Sequence, residues 1–168
     1  MRAVLIAFAL AAMAPLAAAQ EPDADAVVLT DYERQQMNAL LELSSEADGR
    51  VTNACGDKVT LDVKRVDLGN LGNHLVVVVP AGTTAPACYG DGPGDVYVVR
   101  YLRTDFSVIF NGQGYIALLP NASTGIPDIA LGGPGQAFPV HTFSRTRYVR
   151  TNRTISDATF ARAATILP

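Results

Sequence analysis

KVTLDVK (58–64) and LVVVV (75–79), separated by RVDLGNLGNH (65–74), decide the fold class of this chain. In the first stretch Val59, Leu61 and Val63 alternate with Lys58, Thr60, Asp62 and Lys64, the period of a strand with one face buried and the other in water. The second is a continuous apolar, mostly β-branched run with no polar face, so it predicts a strand covered on both sides, ended by Pro80. The glycine-punctuated turn between them makes the pair a hairpin.

Downstream, residues 95–102, 107–110, 115–119, 128–131, 137–143 and 147–149 read as further strands, separated by turn clusters such as GDGPG (90–94), NGQG (111–114) and GGPG (132–135). Short strands in succession with tight turns favour antiparallel sheet, in a sandwich or open barrel, over a parallel αβ layout. Upstream, TDYE (30–33) is a capping box in which the Thr30 hydroxyl accepts the amide three residues on and Glu33 reaches back. Met37, Leu40, Leu41 and Ala47 then recur at helical spacing before the stop at Asp48-Gly49, which predicts an amphipathic helix over 31–47. At the other end Ser156 as N-cap, with Phe160, Ala163, Ala164 and Leu167, predicts a short helix over 156–167. The fold class is therefore α+β, mainly antiparallel β, with an N-terminal and a short C-terminal helix.

The first residues read differently. Arg2, the apolar stretch 3–16 and the small pair Ala17 and Ala19 make residues 1–19 a signal peptide. About 14 apolar residues at 1.5 Å each cover roughly 21 Å, short of the ~30 Å hydrocarbon core, so cleavage rather than anchoring is expected, with no membrane span afterwards. Residues 20–29 form an acidic, flexible lead-in, and 30–168 a single β-rich domain. The expected location is periplasmic or secreted. An even pair of cysteines, Cys55 and Cys88, in an oxidising compartment predicts one disulfide.

Charge is unevenly spread. Residues 20–100 hold 6 basic and 13 acidic side chains, and residues 101–168 hold 6 and 3. The mild net negative charge argues against nucleic acid as a partner. Arg145, Arg147, Arg150 and Arg153 concentrate the positive end, which reads either as a solvated strand face or as a site for an anionic partner such as a cell-wall polymer or a lipid headgroup.

VDLGNLGNHLVVVV (66–79) resembles an FG-GAP-like calcium loop followed by a strand, and GIPDIALGGPGQAFPVHTF (125–143) is similar to a stretch found in small uncharacterised secreted bacterial proteins. The first loop retains Asp67 and Gly72 of that pattern; the second has Gly125 and Asp128, with Asn121, Ser123 and Thr124 nearby. Calcium takes six to eight oxygens, several of them charged. One carboxylate per loop is too few, so no metal and no cofactor are expected, and the loops read as turn geometry, with Asp67 and Asp128 bonding local backbone amides.

Catalytic constellations are equally sparse. His141 lies on a predicted strand beside Val140 and Thr142, His74 falls in the hairpin turn and is expected in water, and no GxSxG context presents Ser144 or another serine as a nucleophile. Glu42 and Glu46 read as surface charge on the predicted helix, and the NAS and NRT sequons at Asn121 and Asn152 as chance matches. The sequence points to an exported non-enzymatic domain that binds an envelope component or protein. Its rivals are an inhibitor of a lysozyme-type cell-wall hydrolase, using the acidic half, and a hydrolase built around His141.

Overall fold

The computed structural model describes residues 26–83, 88–90, 92–102, 105–132, 137–163 and 165–167. The expected signal peptide, 1–19, and residues 20–25 of the lead-in lie outside these. Thr30 caps the first helix, α1 (Asp31–Leu40), through both halves of the capping box: the Glu33 amide donates to its hydroxyl at 3.3 Å and its own amide donates to the Glu33 carboxylate at 2.9 Å.

This helix is shorter than the 31–47 that apolar spacing predicts. Glu42 adopts a left-handed conformation (φ 55°), the Leu43 amide donates to the Asn38 carbonyl at 2.8 Å, and the Glu42 amide donates to the Ala39 carbonyl at 3.3 Å. That is a Schellman closure without glycine. Packing explains it: Met37 and Leu41 already lie against the sheet beneath, and the reversal brings Leu43 onto the same apolar surface.

A small ribbon follows, β1 (Val51–Thr52) paired with β2 (Lys58–Val59). The strand expected over 58–64 is thus divided, because its apolar residues serve two partners. Val59 packs with Val51 and Val79, whereas Val63, on β3 (Asp62–Asp67), packs with Leu75 and Val77 of β4 (Asn73–Pro80). β3 and β4 form the predicted hairpin, in register Val63↔Val77 and Arg65↔Leu75, around a 3-10 turn at Gly69–Leu71.

β5 (Gly94–Leu102) and β6 (Asp105–Gln113) complete an antiparallel sheet of order β3-β4-β5-β6. A second antiparallel sheet contains β7 (Tyr115–Leu119), β8 (Asp128–Gly132), β9 (Phe138–Ser144), β10 (Arg147–Ile155) and β11 (Thr165–Leu167), in the order β10-β9-β8-β7-β11. The chain passes from one sheet to the other at a single residue, Gly114 (φ 114°). A Cβ there would stand 2.8 Å from the Gly132 carbonyl oxygen, so the corner needs glycine.

The expected C-terminal helix over 156–167 is reduced to α2 (Asp157–Phe160), whose first turn is capped by Ser156. Residues 165–167 instead pair with β7, in register Ile166↔Ala117. Two β-branched residues, Thr165 and Ile166, suit a strand, and pairing satisfies the backbone of an edge that a helix would leave open.

The two sheets share one core and do not close into a barrel. Val66, Val76, Val78, Val96, Val98, Ile109 and Phe110 from the first meet Ile116, Leu118, Ile129 and Tyr148 from the second. α1 covers the outer face of the first sheet through Met37 and Leu41. α2 covers part of the outer face of the second, stacking Phe160 on Phe138 with ring centroids 4.4 Å apart, beside Ala117 and Ala130. No helix among the described residues is long and apolar enough to cross a membrane.

The predicted disulfide joins Cys55 to Cys88, with Cα atoms 5.8 Å apart. It sits beside a buried polar knot: Asn53 donates to the Pro80 and Ala81 carbonyls at 3.0 and 2.9 Å and accepts the Cys55 and Asp57 amides, both at 2.9 Å. Tyr89 donates to Asp95 at 2.9 Å and accepts the Ala54 amide; burial, reinforced by Asp95, pushes its hydroxyl up to about 12. Closing this loop of 33 residues stabilises the fold by about 3–4 kcal/mol on the chain-entropy model. Alkylation without reduction will therefore add no mass to the protein, and the Cys55→Ser/Cys88→Ser variant will lose that stability in urea denaturation.

Candidate functional site

The two loops singled out by sequence meet in space. The Asn70 amide donates to the Gly125 carbonyl at 2.9 Å, and the Asn70 side chain donates to the Thr124 carbonyl at 2.8 Å. Backbones come so close that a Cβ on Gly69 would strike the Gly125 carbonyl and one on Gly125 would strike the Asn70 side chain; both residues also have positive φ. Asp67 accepts the Gly69 amide at 2.9 Å, the local bond expected of it, and the Gly72 carbonyl accepts the Leu68 amide. The contact between the loops is made by one asparagine, with no carboxylate crossing it among the described residues.

Asp128 departs from the reading of a local turn acid. It is 2% exposed and accepts three side chains: Asn121 at 2.9 Å, Thr142 at 2.8 Å and Arg153 at 2.7 Å. Its strand position explains this. Asp128 and Thr142 share the outer face of the second sheet with Ala130 and Val140, where burial of a carboxylate requires full hydrogen bonding. The sequence placed Asn121 near Asp128 but gave no sign of Thr142, whose role exists only once β8 and β9 pair.

Arg153 is thus tied to structure, and the arginine run divides. The β9–β10 pairing is regular from Arg147↔Ser144 to Arg150↔His141, then shifts register before Thr154. Arg153 lies within the shift and reaches Asp128. Arg145 occupies the turn with φ 60°. Arg147 and Arg150 line an open groove of about 410 Å³ where edge strand β6 approaches edge strand β10, together with Phe110, Asn111, His141 and Tyr148. Phe110 stands edge-on to His141 (5.1 Å) and Tyr148 (6.1 Å), which fixes an aromatic floor. Neither Arg147 nor Arg150 forms an ion pair, and no acid lines the groove, among the described residues.

The two histidines sit in different settings. His74 is 3% exposed, contrary to the solvated position expected of a turn residue, because β4 starts at Asn73 and places His74 on the face of Val76 and Val78. Its Nδ1–H donates to the Gly72 carbonyl at 3.1 Å, which leaves Nε2 as a bare acceptor without a partner among the described residues. Burial holds its pKa below the ordinary value, and Arg100 adds to the effect. His141 is lowered likewise, chiefly by burial and then by Arg150. No hydrogen bond joins it to a serine or a carboxylate among the described residues, and Ser144, three positions along the same strand, points to the opposite face.

No family model, curated protein or solved structure matches this chain.

Two outcomes follow from the geometry. Arg153→Gln will cost about 1–2 kcal/mol in urea denaturation by leaving the buried Asp128 carboxylate without its cation, whereas Arg147→Gln and Arg150→Gln will stay within about 0.5 kcal/mol of wild type. Because the folded-state histidines titrate below their unfolded value of about 6.5, the stability linked to their neutral forms is complete above that pH and is lost as pH falls below it. Urea midpoints will fall between about pH 7.5 and about pH 5, and His74→Gln will flatten that decline.

Proposed function

We propose that this chain is an exported bacterial binding domain, a two-sheet sandwich without catalytic chemistry, that holds an anionic envelope polymer at the corner between β6 and β10. One observation carries the reading: Arg147 and Arg150 flank a concave, aromatic-floored surface that contains, among the described residues, no acid to neutralise them. Guanidinium groups in that setting supply paired, directional donors to phosphate or carboxylate, and the low-dielectric wall strengthens the attraction. The Cys55–Cys88 disulfide suits an oxidising compartment, in line with the export signal read in residues 1–19.

The inhibitor reading draws less support. Four of the thirteen acids in its acidic half are paired within that half, Asp31 with Arg34, Glu46 with Lys58, Asp48 with Arg50 and Asp62 with Lys64, at 2.7 to 3.8 Å. Those acids offer a basic enzyme little uncompensated charge. The joined loops, for their part, fit a scaffold role.

Retention on immobilised poly(glycerol phosphate), with neutral dextran as control, tests the proposal. Wild type will bind at low ionic strength and elute as salt screens the contact, and the Arg147→Gln/Arg150→Gln variant will bind at least about tenfold more weakly while melting like wild type. Equal retention of the double variant, or no retention of the wild type, would sink it.

A further inference from the structure

α1 covers only part of the first sheet's outer face. Where it stops, the sheet is left open beside the segment Val27–Leu29, and a groove of about 430 Å³ forms, within the ~300–1,000 Å³ typical of small-ligand sites. Its lining includes Val28, Glu33, Arg65, Asn73, Tyr101 and Phe106. The strand register explains why these distant residues converge. Asn73 opposes Asp67, Leu75 opposes Arg65 and Tyr101 opposes Phe106, so Arg65, Asn73, Tyr101 and Phe106 all project on the helix side of the sheet.

Tyr101 and Phe106 stack with centroids 4.8 Å apart and planes inclined by 24°, forming a flat aromatic platform that remains partly in water. The platform is fixed at its rim. The Tyr101 hydroxyl donates to Glu33 at 2.8 Å, and Glu33 is held in turn by the Thr30 amide and hydroxyl at 2.9 and 2.8 Å. Those bonds, the Thr30 amide foremost, keep the Glu33 carboxyl below its ordinary range, hence ionised. Arg65 and Asn73 have no side-chain hydrogen bond or ion pair among the described residues.

We propose that this groove is a second binding site and that its ligand is a short saccharide. A pyranose ring presents C–H bonds on one face and hydroxyls around its edge. The C–H face matches the negative π-face of the Tyr101–Phe106 platform, and the edge matches three planar polar groups, the Glu33 carboxylate, the Asn73 amide and the Arg65 guanidinium. An extended peptide is the poorer match. It would add to a free strand edge, but the edge of β3 beside the groove is already bridged by Ala26 opposite Lys64, with the Val27 amide donating to the Val63 carbonyl at 2.8 Å.

Titration calorimetry of the disulfide-intact protein with chito-, cello- and malto-oligosaccharides is the test. One series will bind saturably. Tyr101→Ala and Phe106→Ala will each weaken it by about tenfold, the loss expected when an aromatic contact of this kind is removed. Arg65→Ala and Asn73→Ala, exposed side chains whose removal leaves the melting temperature unchanged, will weaken it without touching the platform. Arg147→Gln/Arg150→Gln will bind the saccharide as wild type does, so failure of this site and failure of the arginine corner are separable. Absence of saturable binding by all three series at millimolar concentration, or binding that survives both Tyr101→Ala and Arg65→Ala, or competition by an uncharged extended peptide but by no saccharide, would overturn the proposal.

Discussion

From Leu75 to Val79 both faces of β4 are dry, and that constraint orders everything around it. Val76 and Val78 face the second sheet, while Leu75 and Val77 face α1 and Val79 faces the β1–β2 ribbon. Over those residues the strand loses access to water, so its backbone must pair on both edges, which β3 and β5 accomplish. The layers are consequences: a sheet for one face, a helix and a ribbon for the other. Burial of these five side chains, Leu75 to Val79, contributes about 1.5–3 kcal/mol each to the fold's hydrophobic stabilisation.

What could be read beforehand and what could not follow from the range of the interactions. The hairpin 58–79, the capping box at Thr30 and the succession of strands depend on neighbours a few residues apart, and periodicity records them. The extent of α1 does not. Apolar spacing continues past Leu41, but the helix ends where its buried residues have met their partners, a tertiary condition that the local sequence does not carry. Residues 165–167 make the same point: their helical spacing is overruled by the open edge of β7. His74 is buried rather than solvated because the turn is shorter than its glycines suggest, and β4 begins at Asn73, two residues before the predicted strand.

The surface features divide along the same line. Four arginines in a row read as one patch, yet a register shift in β10 assigns Arg153 to a buried carboxylate and leaves Arg147 and Arg150 beside an aromatic floor. Those two also stand on an edge strand, where long cationic side chains oppose the addition of a further strand from another chain. The proposed ligand site and a guard against aggregation therefore occupy the same few residues. The α1-side groove was invisible in sequence, because Glu33, Arg65, Asn73 and Tyr101 are brought together only by register.

Gly114 divides the chain into two nearly independent programmes of assembly. Before it, β3 through β6 pair with sequence neighbours in order; after it, β7 through β10 do the same. Each sheet can therefore zip from adjacent hairpins with small loop-closure costs, the situation associated with fast formation of local structure. Neither sheet can bury its apolar face alone. The two halves bury that face against each other across a one-residue corner, and Gly69 and Gly125, pressed together, mark where they latch.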